Sequence, residues 1–341
     1  MSYSVALTFE DGVTRFIQCN EGETVLDAAY RHQINLPMDC SDGVCGTCKG
    51  RCISGEYDLG EEYLEEALSD DEKTKGIVLT CQMLPETDCV ISIPAESSVC
   101  KTGAQKFQAS VEVVNTLSDS AVEIHLNLTE GVDFLPGQYV NIQVPGTEEI
   151  RAYSFTTLPS VKKIGFLIKN VPNGLMSSWL TEQAKKGDVL NLAGPQGVFY
   201  LRKVERPVLM LAGGTGLAPF LSMLQVLHDS GSDYPVHLVY GVTYDEDLVC
   251  VDELSAYAQA MPNFTFKTVV CSPKSSHPTK GYVTDHMQDA PINNGDVDIY
   301  LCGPPPMVDA VMGYLDKEEI KPNSFHYERF TPSVTKEAVA S

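Results

Sequence analysis

Four cysteines constrain this chain more than any other feature. Cys40, Cys45 and Cys48 lie close together, and Cys81 follows far downstream. The spacing is C-x4-C-x2-C and then a lone Cys, which suits four thiolates converging on a metal–sulfur cluster. Within the loop, Gly43 and Gly46 permit tight turns that aim backbone N–H groups at the sulfurs and stabilise the cluster's negative charge. C-x2-C on its own also fits a zinc site or a redox pair. A four-cysteine zinc site, however, brings two close pairs, and Cys81 has no such neighbour. Cys52 and Cys89 read as ordinary thiols.

Composition narrows the possibilities. The 341 residues suffice for two or three domains, and 43% hydrophobic content can fill their cores. A net charge of −22 argues against nucleic acid and anionic membranes, since both require clustered Lys and Arg. Eleven cysteines, unevenly spread, do not resemble a disulfide framework. The segment MSYSVALTFEDG lacks a basic n-region and an apolar h-region, so no signal peptide is expected. The stretch 207–227 carries no charge, but Pro207, Pro219 and the run Gly213-Gly214-Thr215-Gly216 favour a buried strand, a turn and a helix over a membrane span. The expectation is a reduced, cytoplasmic, soluble protein.

Along the chain, strands are expected at 3–10 and 13–19, and a helix begins near Glu23. Residues 56–72 hold nine carboxylates and no Lys or Arg, ending in a candidate capping box, Ser69-x-x-Glu72. Strand patterning returns over 77–93. A small, polar linker follows at 97–106, bounding a first domain at 1–96. Over 107–204, six strand-like runs near 108–116, 121–128, 138–144, 151–157, 163–169 and 188–193 predict an antiparallel six-stranded β-barrel, with a helical insert at 175–184. Over 205–332, apolar runs at 207–212, 236–240, 265–271 and 297–301 alternate with helical stretches, predicting a doubly wound α/β domain. A tail occupies 333–341.

The Gly213–Gly216 turn, between a strand and a helix start, offers a dinucleotide pyrophosphate close backbone approach and a helix N-terminus. No Lys or Arg occurs between Pro207 and Phe266. A cation near the end of the second strand normally meets the 2′-phosphate of NADPH, whereas this region carries Asp245-Glu246-Asp247. NADH is therefore expected, with Asp245 as the candidate ribose contact.

Residues 1–95 resemble plant-type [2Fe–2S] ferredoxins in the Cys40, Cys45, Cys48 and Cys81 pattern, with Ser41 where many members carry Arg. That resemblance implies a β-grasp-like α+β domain. Downstream, Arg151-Ala152-Tyr153-Ser154 matches the R-x-Y-S pattern of the ferredoxin-NADP reductase family. The G-G-T-G-x-x-P run at Gly213–Pro219 and Cys302-Gly303-Pro304-Pro305-Pro306-Met307 match further elements of that family. The resemblance implies FAD. Arg151 would meet a flavin phosphate, Tyr153 would pack on the ring, and Ser154 would hydrogen-bond near the redox-active nitrogen. Gly174, Met176 and Ser177 would lie at the phosphates. Cys302, Gly303 and Pro304 would lie at the nicotinamide. Tyr327-Glu328-Arg329-Phe330 resembles the family's terminal acidic-aromatic element, with Phe330 covering the flavin.

The order of the three modules is similar to that of reductase components of two-component ring-hydroxylating dioxygenases. It implies electron flow from NADH to FAD to [2Fe–2S] and on to a Rieske-type terminal oxygenase. Ser154, Cys302, Glu328 and Phe330 are the expected catalytic group. The acidic run 56–72 is either a docking face for that partner or a solvated loop. A reductase for a soluble diiron monooxygenase and a non-turnover redox sensor are the competing readings.

Overall fold

The computed structural model describes residues 2–38, 43–44, 46–61, 63–65, 67–100, 105–287 and 293–330. Two compact units result, Met1–Gln105 with Gln196–Val198, and Lys106–Pro195 with Phe199–Ser341.

In the first unit, alternation of apolar and polar residues makes β1 (Ser2–Phe9) and β2 (Thr14–Asn20) half-buried strands, with Val5, Leu7, Phe9 and Ile17 facing the core. Helix α1 (Val25–Arg31) starts at Thr24, whose hydroxyl accepts from Asp27 N at 3.1 Å, and it buries Val25, Leu26, Ala28 and Ala29. The rest of the unit comprises β3 (Lys49–Ser54), β4 (Tyr57–Asp58), α2 (Asp70–Thr74), β5 (Ile77–Leu79), β6 (Leu84–Pro85) and β7 (Cys89–Ile93). The sheet runs β2-β1-β7-β3-β5, with β1 and β7 parallel. The Ser69–Glu72 capping box is present at α2. Ser97 and Cys100, expected in the linker, fold onto this unit. Ser97 Oγ donates to Asp11 Oδ2 at 2.6 Å, and Cys100 O accepts from Asn35 N at 2.9 Å.

The second unit opens with β8 (Gln105–Ser118), β9 (Ala121–Leu128), β10 (Tyr139–Gln143), β11 (Ile150–Ser154), β12 (Lys163–Lys169), α3 (Leu175–Ser178) and β13 (Val189–Gln196). The six strands form one sheet in the order β11-β10-β13-β8-β9-β12. An antiparallel bridge between Phe155 and Phe166 links the end of β11 to β12, the opposite edge of that order. The expected helical insert is α3 followed by a π-helical turn, Trp179–Gln183.

Then come β14 (Val208–Gly213), α4 (Ala218–Ser230), β15 (Val236–Val242), α5 (Val251–Ala260), β16 (Phe264–Val270), β17 (Asp298–Gly303), α6 (Pro305–Lys317) and β18 (Ser324–Arg329). The sheet is parallel, in the order β16-β15-β14-β17-β18. Met210, Ala212, Leu238 and Tyr240 pack with α4 and α5 residues such as Phe220 and Leu254. Leu209, Leu211, Val239 and Ile299 pack with Val308, Val311 and Leu315 of α6. Coverage on both faces explains why β14 is an unbroken apolar run. Among the described residues, no helix is long and apolar enough to cross a membrane.

Candidate functional site

In the first unit, Gly43 and Gly46 have φ of +71° and +73°, the left-handed conformation expected of the tight cysteine loop. Cys48 precedes β3, and Cys81 sits in the turn after β5. Thr80 N donates to Cys48 O at 3.0 Å, and Leu26 N of α1 donates to Thr80 O at 2.9 Å. These bonds hold the Cys48 and Cys81 sulfurs 3.2 Å apart, both buried and without a disulfide. Cys40 and Cys45, the other two expected ligands, lie outside the described residues. A buried pair of adjacent thiols is a donor set that fits an iron–sulfur cluster. By contrast, burial pushes the thiols of Cys89 and Cys100 up to about 12, as befits inert packing groups.

In the second unit, successive parallel strands are added first on one side of β14 (β15, β16) and then on the other (β17, β18), and a cavity of about 470 Å³ opens at the carboxyl ends of these strands. This is the topological switch point, where open α/β sheets bind ligands, and the volume suits a nucleotide portion. Gly213, Gly214, Thr215, Pro304 and Phe330 line it. Gly214 has φ +56°, and a Cβ there would meet nothing within 4 Å, which leaves open space in the cavity wall. Gly216 serves differently. A Cβ there would collide with the Cys302 carbonyl, so this glycine lets the turn after β14 press against β17. The two Gly-containing motifs, distant in sequence, thus meet backbone to backbone. The arrangement fits a dinucleotide.

Three of the expected catalytic residues converge nearby. In the β17–β18 register Cys302 lies opposite Glu328. Ser154, buried at the end of β11, places Oγ 3.5 Å from Glu328 Oε2, and Cys302 Sγ is 3.9 Å from the same oxygen. Complete burial, with the Glu328 charge beside it, pushes the Cys302 thiol well above its ordinary range, so it stays protonated. Phe330 N donates to Gly303 O at 2.9 Å, which fixes the aromatic at the cavity edge.

Among the flavin candidates, Arg151 and Tyr153 lie on β11, paired with Ile142 and Val140 of β10. Arg151 Nη1 pairs with Glu149 at 2.9 Å. Burial pushes the Tyr153 phenol upward. Gly174 precedes α3 and gives it no side-chain cap. Met176 is buried in the core against the six-stranded sheet, and Ser177 Oγ is engaged by Val171 N at 2.9 Å and Lys169 O at 3.2 Å. At Gly174, Met176 and Ser177 it is therefore the backbone that a phosphate would meet, a role that an uncapped helix start fits.

Asp245 is not among the cavity-lining residues. Its carboxylate accepts from Ser275 Oγ at 2.5 Å and Ser276 N at 3.1 Å. Asp247 lines the cavity instead, accepting from Ser120 Oγ at 2.5 Å and Tyr244 N at 3.0 Å. Residues 245–247 form a 3-10 turn, in which successive side chains rotate by about 120°. Positions two apart therefore face different ways, and the linear sequence does not say which faces inward. Lys169 and Tyr282 also line the cavity. Lys169 ends the strand-like run 163–169, and no local sequence signal marks it as a cavity residue.

Three family models match: the 2Fe-2S iron-sulfur cluster binding domain over 8–86, the oxidoreductase FAD-binding domain over 108–200 and the oxidoreductase NAD-binding domain over 210–312. Toluate 1,2-dioxygenase electron transfer component from Pseudomonas putida is 54% identical, covering 98% of this chain and all of the relative. The 2-halobenzoate 1,2-dioxygenase electron transfer component of Burkholderia cepacia is 48% identical over 98% of this chain and 99% of its own. Among solved structures, an Amycolatopsis cytochrome P450 reductase superposes with a TM-score of 0.71 at 30% identity, covering 96% of this chain and 99% of that one. With its cluster, flavin and nicotinamide domains matched in order, the chain belongs to the family of 1,2-dioxygenase electron transfer components.

Proposed function

We propose that this chain is the NADH-dependent reductase of a two-component aromatic-ring-hydroxylating dioxygenase of the benzoate and toluate type. It passes electrons to the Rieske centre of the terminal oxygenase. The observation that carries the reading is the convergence of Ser154, Cys302 and Glu328 beside a nucleotide-sized cavity. Bound FAD supplies the exchange between two-electron and one-electron transfer that joins NADH to the cluster.

In this reading the chain's own groups bind and orient. Arg151 and the backbone at Gly174, Met176 and Ser177 hold the flavin phosphates, and Tyr153 packs on the ring. Ser154 donates a hydrogen bond at the ring's redox-active edge. Gly213, Gly214, Thr215 and Gly216, with Gly303 and Pro304, seat the dinucleotide, and Lys169 adds a positive charge. Cys302, as an uncharged thiol, packs beside the nicotinamide and excludes water. Glu328 orients both Ser154 and Cys302, and Phe330, at the cavity edge, would cover the flavin ring. Cys40, Cys45, Cys48 and Cys81 ligate the cluster.

The same reading divides the chain into a β-grasp-like ferredoxin domain at 1–96, a linker at 97–106, an FAD barrel at 107–204, a doubly wound NADH domain at 205–332 and a tail. The Phe155–Phe166 bridge supports barrel closure, and packing on both faces of the parallel sheet supports double winding. Free thiols at Cys19, Cys89 and Cys100 support a reducing, cytoplasmic setting.

NADH-driven turnover with purified oxygenases tests the proposal. Hydroxylation supported with a benzoate-type dioxygenase, and not with a diiron monooxygenase, is the expected outcome. The reverse preference would transfer the assignment to the monooxygenase system. Failure to reduce cytochrome c rapidly with NADH would indicate a redox sensor.

A further inference from the structure

The loop after β16 is tied to the end of β15. Cys271 N donates to Val242 O, and Ser272 N to Thr243 O, both at 3.0 Å. Thr243 and Cys271 line the nucleotide cavity, so loop 272–279 starts at its rim. The loop offers an anion three serines and Lys274, while both ring nitrogens of His277 are engaged by Thr268 and Thr279. Two of its donors already hold an anion. Asp245 Oδ1 accepts from Ser275 Oγ at 2.5 Å, and Oδ2 accepts from Ser276 N at 3.1 Å. Ser275 is buried, and its hydroxyl also accepts from His277 N at 2.9 Å, which fixes its orientation. The Ser275 hydrogen bond holds the Asp245 carboxyl below the usual range, so it stays ionised at neutral pH.

We propose that Asp245 is a specificity-determining residue that acts as an internal anion, occupying the donors of loop 272–277 that would otherwise hold the 2′-phosphate of NADPH. This rests on reading the cavity as the nicotinamide nucleotide site. A carboxylate and a phosphate monoester seek the same N–H and O–H donors, so one excludes the other. The carboxylate charge would also repel a phosphate brought to the same donors. Asp245 thereby selects NADH without a contact to the ribose.

The test uses the full-length, flavin-loaded chain, with Asp245→Ala to vacate the donors and Asp245→Asn to remove charge while keeping an acceptor. Calorimetry measures the binding of 2′,5′-ADP and 5′-AMP, and steady-state assays give kcat and KM for both reduced dinucleotides. In Asp245→Ala, affinity for 2′,5′-ADP should rise roughly tenfold relative to 5′-AMP, with the NADPH gain appearing in KM rather than kcat. Asp245→Asn should fall between it and the parent. Adding Ser275→Ala to Asp245→Ala should abolish the gain. An unchanged 2′,5′-ADP to 5′-AMP ratio in both single variants would overturn the inference. Equal weakening of both ligands would overturn it too, by making Asp245 a direct ribose ligand. Should the parent chain itself fail to accept electrons from NADH, the functional reading is what fails. An active parent with an unmoved ratio sinks only the role of Asp245.

Discussion

Replacing Gly216 by Ala tests how closely the two nucleotide motifs are pressed together. The added Cβ would collide with the Cys302 carbonyl and come within 3.0 Å of Gly303 N. These are backbone atoms of β17, whose Cys302 is laddered to Ala212 on one side and Glu328 on the other. The strand cannot yield locally without disturbing a ladder. Overpacking of this kind costs about 1–3 kcal/mol, while the loss of glycine entropy in the unfolded chain returns about 0.4–1 kcal/mol. The net is a destabilisation of ~1–2 kcal/mol, or a Tm lowered by roughly 2–8 °C for a unit of this size. Gly313→Ala is the matched control, because this exposed glycine in α6 has nothing within 4 Å of its would-be Cβ and should stabilise by about 0.5–1 kcal/mol. Thermal unfolding followed through Trp179, the sole tryptophan and a buried residue of the second unit, reads both variants. Because β17 carries Cys302, Gly216→Ala should also slow NADH-driven ferricyanide reduction. A Gly216→Ala protein with the parent's Tm and rate would refute the argument.

Ser154→Ala removes the hydroxyl that faces Glu328 and should slow flavin reduction by NADH roughly 10–100-fold in stopped-flow traces, with FAD still bound. An undiminished rate would remove Ser154 from the catalytic group. Cys81→Ser should abolish the reduced-cluster EPR signal and cytochrome c reduction while ferricyanide reduction continues; a normal signal would exclude Cys81 as a ligand. His326 is held neutral, its pKa pushed down to about 3 chiefly by burial and further by the Arg202 charge. The unfolded chain binds this proton near pH 6.5 and the folded one does not, so stability is present above pH 6.5 and declines as pH falls toward 3, by up to ~1.4 kcal/mol per pH unit. Urea midpoints between pH 7 and 4.5 should fall less steeply in His326→Gln than in the parent; parallel curves would show that His326 does not contribute.

Much of this was legible in the sequence where one residue pattern had one physical outcome. In the uncharged run 207–227, Pro207, Pro219 and the glycines favour a buried strand, a turn and a helix, and β14, the 3-10 turn at Gly214–Leu217 and α4 are that. The Ser69–Glu72 box was equally local. Helix α6 opens on Pro305 and Pro306, residues that break a helix interior. They occupy its first positions, where a missing N–H leaves no intrahelical bond unmade. What local pattern could not provide was juxtaposition. The Cys302–Glu328 pair depends on the β17–β18 register, and Lys169 reaches the cavity only through packing within the second unit. Asp245 and Asp247 differ by the rotation of a single turn, which sequence leaves open.

The central claim is a continuous path from NADH through flavin to cluster, and anaerobic reduction followed by absorbance and EPR together tests it most directly. On adding NADH, the flavin absorbance should bleach and the signal of a one-electron-reduced [2Fe–2S] centre should grow within the same titration, with NADPH far less effective. Flavin bleaching with no cluster signal, or equal response to both nucleotides, would contradict the account.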